Sequence, residues 1–168
     1  MSEMFKTVLD AISGQYGAAF AMLKKDIKNC PDDVWDDRAN GPPFWHVVYH
    51  VMWFVDWYLS NSKEARENFK PNLGDENLRD LNTPPNITLN RDEILIYLSD
   101  IKSKAKNRFE NLTEEQLNDP SLFEWHGNNL LGSLIYNLRH LMLHIGALNL
   151  RLHSKNVKID NWVSYKRI

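Results

Sequence analysis

The chain has 168 residues, a formal charge of −2, 25% charged residues and a single cysteine. That length can bury a sizeable core without disulfides or a structural metal. The near-balanced charge argues against a general nucleic-acid binder, which needs a basic patch for phosphates. Cys30 alone can build neither a disulfide framework nor a cysteine-based zinc finger within one chain. With no motif around it, Cys30 is expected to be inert, and a reduced, cytoplasmic setting fits it.

Residues 1–20 show no basic start followed by an unbroken apolar run, so no signal peptide is expected. No stretch approaches the roughly 20 uninterrupted apolar residues of a membrane span. Valine and isoleucine do not alternate with polar residues over any long run, and glycine and proline number seven each. The expectation is an all-α protein, with residues 1–168 forming one domain.

In the first segment, about Ser2 to Asn29, Phe5, Val8, Leu9, Ile12, Tyr16, Ala19, Phe20, Leu23 and Ile27 recur at helical spacing. Gly14 and Gly17 weaken that helix by roughly 1 kcal/mol each relative to alanine. Residues 30–42 read as a connector, with Trp35 tucked against the core. Gly41-Pro42-Pro43 then launches a second helix, about Phe44 to Ser60, since proline suits a first turn. From Val47 to Leu59 only His50 and Asp56 can carry charge near neutral pH. A helix apolar nearly all round needs burial on more than one side. It is either central to the bundle or packed on another subunit, and a homodimer is the expectation.

The connection from Lys70 to Asn90 exceeds the roughly 12–15 residues usual in compact domains, and reads first as a structural crossover with a short helical turn near Asp75–Leu81. A third helix follows, capped by Thr88 or Asn90, with Asp92 and Glu93 in its first turn, where the helix dipole favours anions. Its core stripe is Ile94, Tyr97, Leu98, Ile101, Ala105 and Phe109. Lys102, Lys104, Lys106 and Arg108 read as a solvated face. Thr113–Leu117 is a short helical turn. Asn129 to His153 forms the fourth helix, and the tail is anchored by Val157, Ile159 and Trp162. Four amphipathic helices in one domain point to a four-helix bundle.

The chemistry lies in six histidines: His46, His50, His126, His140, His144 and His153. His46 and His50 on the second helix, and His140 and His144 on the fourth, are pairs at i, i+4, which puts each pair on one helix face. On the fourth helix Ser133, Asn137, His140, His144 and Arg151 fall within roughly 60° on the helical wheel. A solvent-facing polar stripe gives the same pattern. The second helix weighs against that reading, because His46 and His50 share their face with Trp53 and Trp57 and not with lysines or glutamates. A buried histidine there needs a partner or a ligand role.

If the two faces meet, they enclose a polar pocket walled by aromatics, with His50 as the natural third ligand beside His140 and His144. Three neutral imidazoles with an open fourth position form the pattern of a catalytic or ligand-binding zinc-type site. A closed four-ligand site including His46 would be inert. His126 could lie near the pocket mouth, and His153, on the opposite side of its helix from His144, is expected at the surface.

Imidazole suits zinc, nickel, copper and iron alike. Carboxylate-bridged di-iron chemistry needs glutamates that these helices lack. A bis-histidine haem would leave both pairs unexplained. No nucleophile motif or phosphate loop is present, so no catalytic side chain is assigned. The reagent is water activated by the metal, or a thiol bound as thiolate. Metal affinity is expected to fall below about pH 6, imidazole having a pKa near 6.5.

Pro43-Phe44-Trp45-His46-Val47-Val48-Tyr49-His50-Val51, followed by Asp56-Trp57-Tyr58-Leu59, resembles the second helix of the DinB-like superfamily. His140 and His144, with Gly146 two residues on, resemble that family's fourth-helix signature. The helix order and length agree over most of the chain. The resemblance implies a four-helix bundle, commonly dimeric, that holds a divalent metal through one second-helix histidine and the fourth-helix pair, here His50, His140 and His144. The family pattern does not require histidine at position 46. Many members carry glutamine after the glycine, where this chain has Ala147. Known activities in that superfamily include transferases and isomerases that use low-molecular-weight thiols.

The leading expectation is therefore a cytoplasmic, homodimeric metalloenzyme, a thiol-dependent transferase or hydrolase acting on a small molecule. Zinc or nickel is favoured over iron or manganese, with no nucleic acid or membrane as partner. The competing one is a non-catalytic dimeric bundle whose histidines are a vestigial or structural cluster, acting through protein partners.

Overall fold

The computed structural model describes residues 2–39, 41–74, 76–158 and 162–168. Its helices are α1 (Glu3–Asn29), α2 (Asp32–Trp35), α3 (Phe44–Tyr58), α4 (Lys63–Glu67), α5 (Arg91–Glu110) and α6 (Leu130–Ser154), with short 3-10 turns at Glu76–Arg79, Glu115–Asn118 and Glu124–His126. Among the described residues there is no β-strand, and no helix is long and apolar enough to cross a membrane.

Local chemistry sets the helix starts. Ser2 accepts from the Phe5 N–H at the head of α1. Asn90 and Glu93 form a reciprocal capping box on α5, so Asn90 is the cap and Thr88 is left to hydrogen-bond Asp36. Asn129 accepts from the Gly132 N–H on α6. Such caps satisfy amide donors that the first helical turn leaves without partners.

The four long helices close a ring in which α3 packs on α5 and α6, and α1 packs on the same two from the far side. Consecutive long helices α1 and α3 therefore lie across a diagonal. The expected α5 stripe of Ile94, Tyr97, Leu98, Ile101, Ala105 and Phe109 is buried throughout. Helix α3 is central: α2, α5, α6 and the 3-10 turn at Glu76–Arg79 surround it, and its apolar faces are covered within one chain. Its carboxylate, Asp56, is buried and accepts hydrogen bonds from Tyr97 Oη at 2.9 Å and Lys104 Nζ at 2.6 Å. Lys104 thus leaves the basic run on α5 that reads as wholly solvated, because a buried carboxylate is within its reach.

The tail differs from the sequence expectation. Val157 packs against the core, but Trp162 is 73% exposed and anchors nothing; Ile159 lies outside the described residues. Beyond Val157 the tail is held by Val163 and Ile168, which pack against the core, and by Tyr165, whose ring lies on Gly14, while the Lys166 carbonyl lies on Gly17. A Cβ at either glycine would overlap the tail. The helix-weakening glycines of α1 are thus where the C-terminal segment approaches the helix closely. Cys30 is buried, and burial pushes its thiol up to about 12, as an inert cysteine requires.

Candidate metal centre

The polar stripe of α6 does not face water. Ser133 and Asn137 are buried, Asn137 completely, with its Nδ2 donating to the Val55 carbonyl of α3 at 3.3 Å. Arg151, further along, donates to the carbonyls of Pro42 and Asp37 at 2.7 and 2.9 Å. The stripe is the seam between α6 and α3. His140 and His144 lie in that seam, half-buried, because their neighbours on the same face are already committed to it.

From α3, His50 enters the same seam. Its ring centroid is 5.7 Å from that of His140 and 4.8 Å from that of His144; the α6 pair is 4.7 Å apart. Each of the three rings offers a nitrogen, and these nitrogens lie within 4.8 Å of one another, close enough to hold a metal ion. The face of α3 next to it is aromatic as expected, with Trp53 buried. The residues touching the histidines are Phe54, 4.9 Å from His50 and 5.4 Å from His140, and Tyr58, 6.0 Å from His140. The i+4 spacing from His50 to Phe54 already carries that signal.

The donor set fits a divalent ion. Burial lowers the pKa of His140 to about 3 and of His144 to about 4, and the neighbouring imidazoles lower them further. Burial also lowers His50, against the raising effect of its hydrogen bond to the Arg79 carbonyl. All three rings are therefore neutral at pH 7, with lone pairs available. His140 Nδ1 is buried without a hydrogen-bond partner, an orphan that a ligand would satisfy. In the folded protein burial holds His140 down at about 3 and His144 at about 4 and shifts His50 in the same direction, so the acid limit expected from a free imidazole moves down.

The remaining histidines stand apart. His46 is fully buried, and its Nε2 meets the Leu78 carbonyl at 2.9 Å, outside the cluster. A closed four-ligand site with His46 is not formed. His126 is not at a pocket mouth: it is 4% exposed, stacked on Tyr136 at 4.0 Å and edge-on to Tyr58 at 4.2 Å. His153 is exposed, as expected. Helix α4 and the contact between His50 and Arg79 have no counterpart in the sequence reading. The first is too short for a period to show, and the second depends on where a distant carbonyl comes to rest.

The fold is a helical bundle in which two helices bring together three neutral imidazoles that could hold a metal ion. The family model of the DinB superfamily matches residues 15–148, most of the chain. The chain belongs to the DinB superfamily. No curated protein and no solved structure matches it.

Proposed function

We propose that this chain is a metal-dependent enzyme of the DinB superfamily, a transferase or hydrolase in which His50, His140 and His144 hold one divalent ion, zinc or nickel before iron or manganese. The observation that carries this reading is the convergence of three neutral ring nitrogens within 4.8 Å of one another. A divalent ion held by these three neutral nitrogens would supply Lewis acidity toward a water, carbonyl or thiol group. The protein's part is to hold the three rings at the α3–α6 seam and, through Phe54 and Tyr58, to keep one side of it dry. No side chain is assigned as acid or base. The substrate is a small molecule, with a low-molecular-weight thiol as the co-substrate class, in a cytoplasmic setting.

The functional unit is a homodimer. The apolar faces of α3 are used up inside one chain, whereas α6 exposes Ile135, Leu143 and Leu150 along its outer side. Light scattering giving a monomer at micromolar concentration overturns the dimer. Elemental analysis of protein purified without a nickel column tests the site: one ion per chain is expected, and its loss in His144→Ala. No stoichiometric metal, and no uptake of added zinc or nickel near neutral pH, overturns the metal reading. A screen of thiol cofactors with electrophilic substrates then tests the reaction class.

A further inference from the structure

The segment between α4 and α5 is fastened to α3 along one stripe. Tyr49 Oη donates to the Leu73 carbonyl at 2.8 Å, His46 Nε2 to the Leu78 carbonyl at 2.9 Å, and His50 Nδ1 to the Arg79 carbonyl at 2.5 Å. The Arg79 guanidinium lies 4.9 Å from the centroid of the Trp53 ring. Positions 46, 49, 50 and 53 are i, i+3, i+4 and i+7, a single helix face. The two imidazoles take consecutive carbonyls at the end of the 3-10 turn Glu76–Arg79, where so short a helix leaves its last acceptors free.

A carbonyl only accepts, so both rings must present an N–H. His46 is therefore the Nε2–H tautomer and His50 the Nδ1–H tautomer. The consequence for His50 is direct: its lone pair is on Nε2, free for a metal. The two α3 histidines thus take opposite tautomers, set by two adjacent carbonyls. His46 is fully buried and outside the ligand cluster, and its contact with Leu78 is itself buried. Without that N–H, the Leu78 carbonyl would be left buried with no donor, a cost the segment would relieve by shifting.

We propose that His46 is the positioning residue of the metal centre: by holding the Leu78 carbonyl it places the next one, Arg79, where it locks His50 in the tautomer that presents Nε2. The Arg79 carbonyl is the hydrogen-bonded partner behind the ligand His50, and disturbing such a partner typically changes metal affinity by about 10–100-fold. The affinity consequence rests on the metal reading above, whereas the tautomer consequence does not.

Long-range 15N–1H correlation spectra of the metal-free protein report the tautomers of His46 and His50, and competition with a chromophoric chelator reports zinc affinity. Wild type is expected to show His46 as Nε2–H and His50 as Nδ1–H. In His46→Phe, His50 should average between its two tautomers and zinc should bind about 10–100-fold more weakly at an unchanged stoichiometry. His46→Gln, which keeps an N–H donor, should restore the single tautomer and most of the affinity. A folded His46→Phe with an unchanged His50 tautomer overturns the proposal. So does loss of zinc stoichiometry in His46→Phe as complete as in His144→Ala, which would make His46 a ligand. If His46→Phe does not fold, wild type and His46→Gln decide, and His50 found as Nε2–H in either overturns it. If wild type takes up no zinc, the metal reading fails, and the His50 tautomer still decides the role of His46.

Discussion

On α6, His140 and His144 both turn their rings into the seam with α3; on α3, only His50 of the pair His46 and His50 reaches them, and His46 ends on the Leu78 carbonyl. The two pairs share the same i, i+4 spacing, which on any helix puts two side chains on one face a turn apart. What separates them is what lies opposite. Another helix runs beside the α6 pair, so both rings meet His50. The α3 pair is crossed by the 3-10 turn Glu76–Arg79, which offers two carbonyls in a row and binds both imidazoles. One ring has a nitrogen left that points to the cluster; the other does not. Spacing selects candidates, and the neighbouring backbone selects among them.

The largest expected effect separates the two pairs outright. His144→Ala should weaken zinc binding by about a thousandfold, roughly 4 kcal/mol, because a third of the donor set is gone. Zinc at about 100 times its Kd should stabilise wild type by about 2.7 kcal/mol, seen as a Tm rise that a chelator reverses. The same addition should leave the Tm of His144→Ala unmoved. An equal rise in both would place the ion elsewhere.

The next effect concerns the buried carboxylate of α3. Asp56→Ala leaves the Tyr97 hydroxyl and the Lys104 ammonium without their shared acceptor. The expected cost is about 2 kcal/mol, a Tm fall of roughly 4–8 °C for a chain of this size. Zinc affinity should be unchanged, since Asp56 lies outside the ligand cluster. A parallel loss of metal would show that the polar groups of α3 act as one unit.

A third prediction uses pH. His126 and His144 have folded pKa values lowered to about 4, and His140 to about 3, chiefly by burial. In the unfolded chain each titrates near 6.5. Between those values the unfolded state binds more protons, so the stabilisation is complete above about pH 6.5 and is lost as the pH falls toward 4. The Tm of metal-free protein should therefore drop between pH 6.5 and 4.5. The drop should be shallower in His126→Phe, where an aromatic ring without a titrating nitrogen occupies the nest of Tyr58, Phe123 and Tyr136. A slope unchanged in His126→Phe would mean that His126 is solvated and protonates freely.

The smallest effect is the control. His153 lies on α6 but is exposed, outside the seam and the cluster. His153→Ala should change stability by no more than about 0.5 kcal/mol and leave zinc binding untouched. Calorimetry and the chelator competition together check both halves.

Much of the architecture is legible from local chemistry. The α5 core stripe, a cap for α5 at Thr88 or Asn90, and the start of α3 after Pro43 follow from periodicity and from hydrogen bonds made within a few residues. These features need no knowledge of distant parts of the chain. The tail is the counter-example. Its contact with α1 joins residues about 150 positions apart and is made by Tyr165 and a backbone carbonyl on two glycines. Nothing local distinguishes a glycine that weakens a helix from one that admits a neighbour.

The sequence by itself determined that two helices carry paired histidines, that the α3 pair sits on a face without lysine or glutamate, and that His153 is turned away from His144. Helical periodicity alone fixes these relations. Only the tertiary structure decided that the α6 stripe is a buried seam and not a wet face, and that His50 and not His46 completes the cluster. It also decided the His50 tautomer. The physical reason is that burial and hydrogen-bond partners belong to pairs of elements: Asn137 is hidden by α3, and His50 is oriented by a carbonyl 29 residues further along the chain.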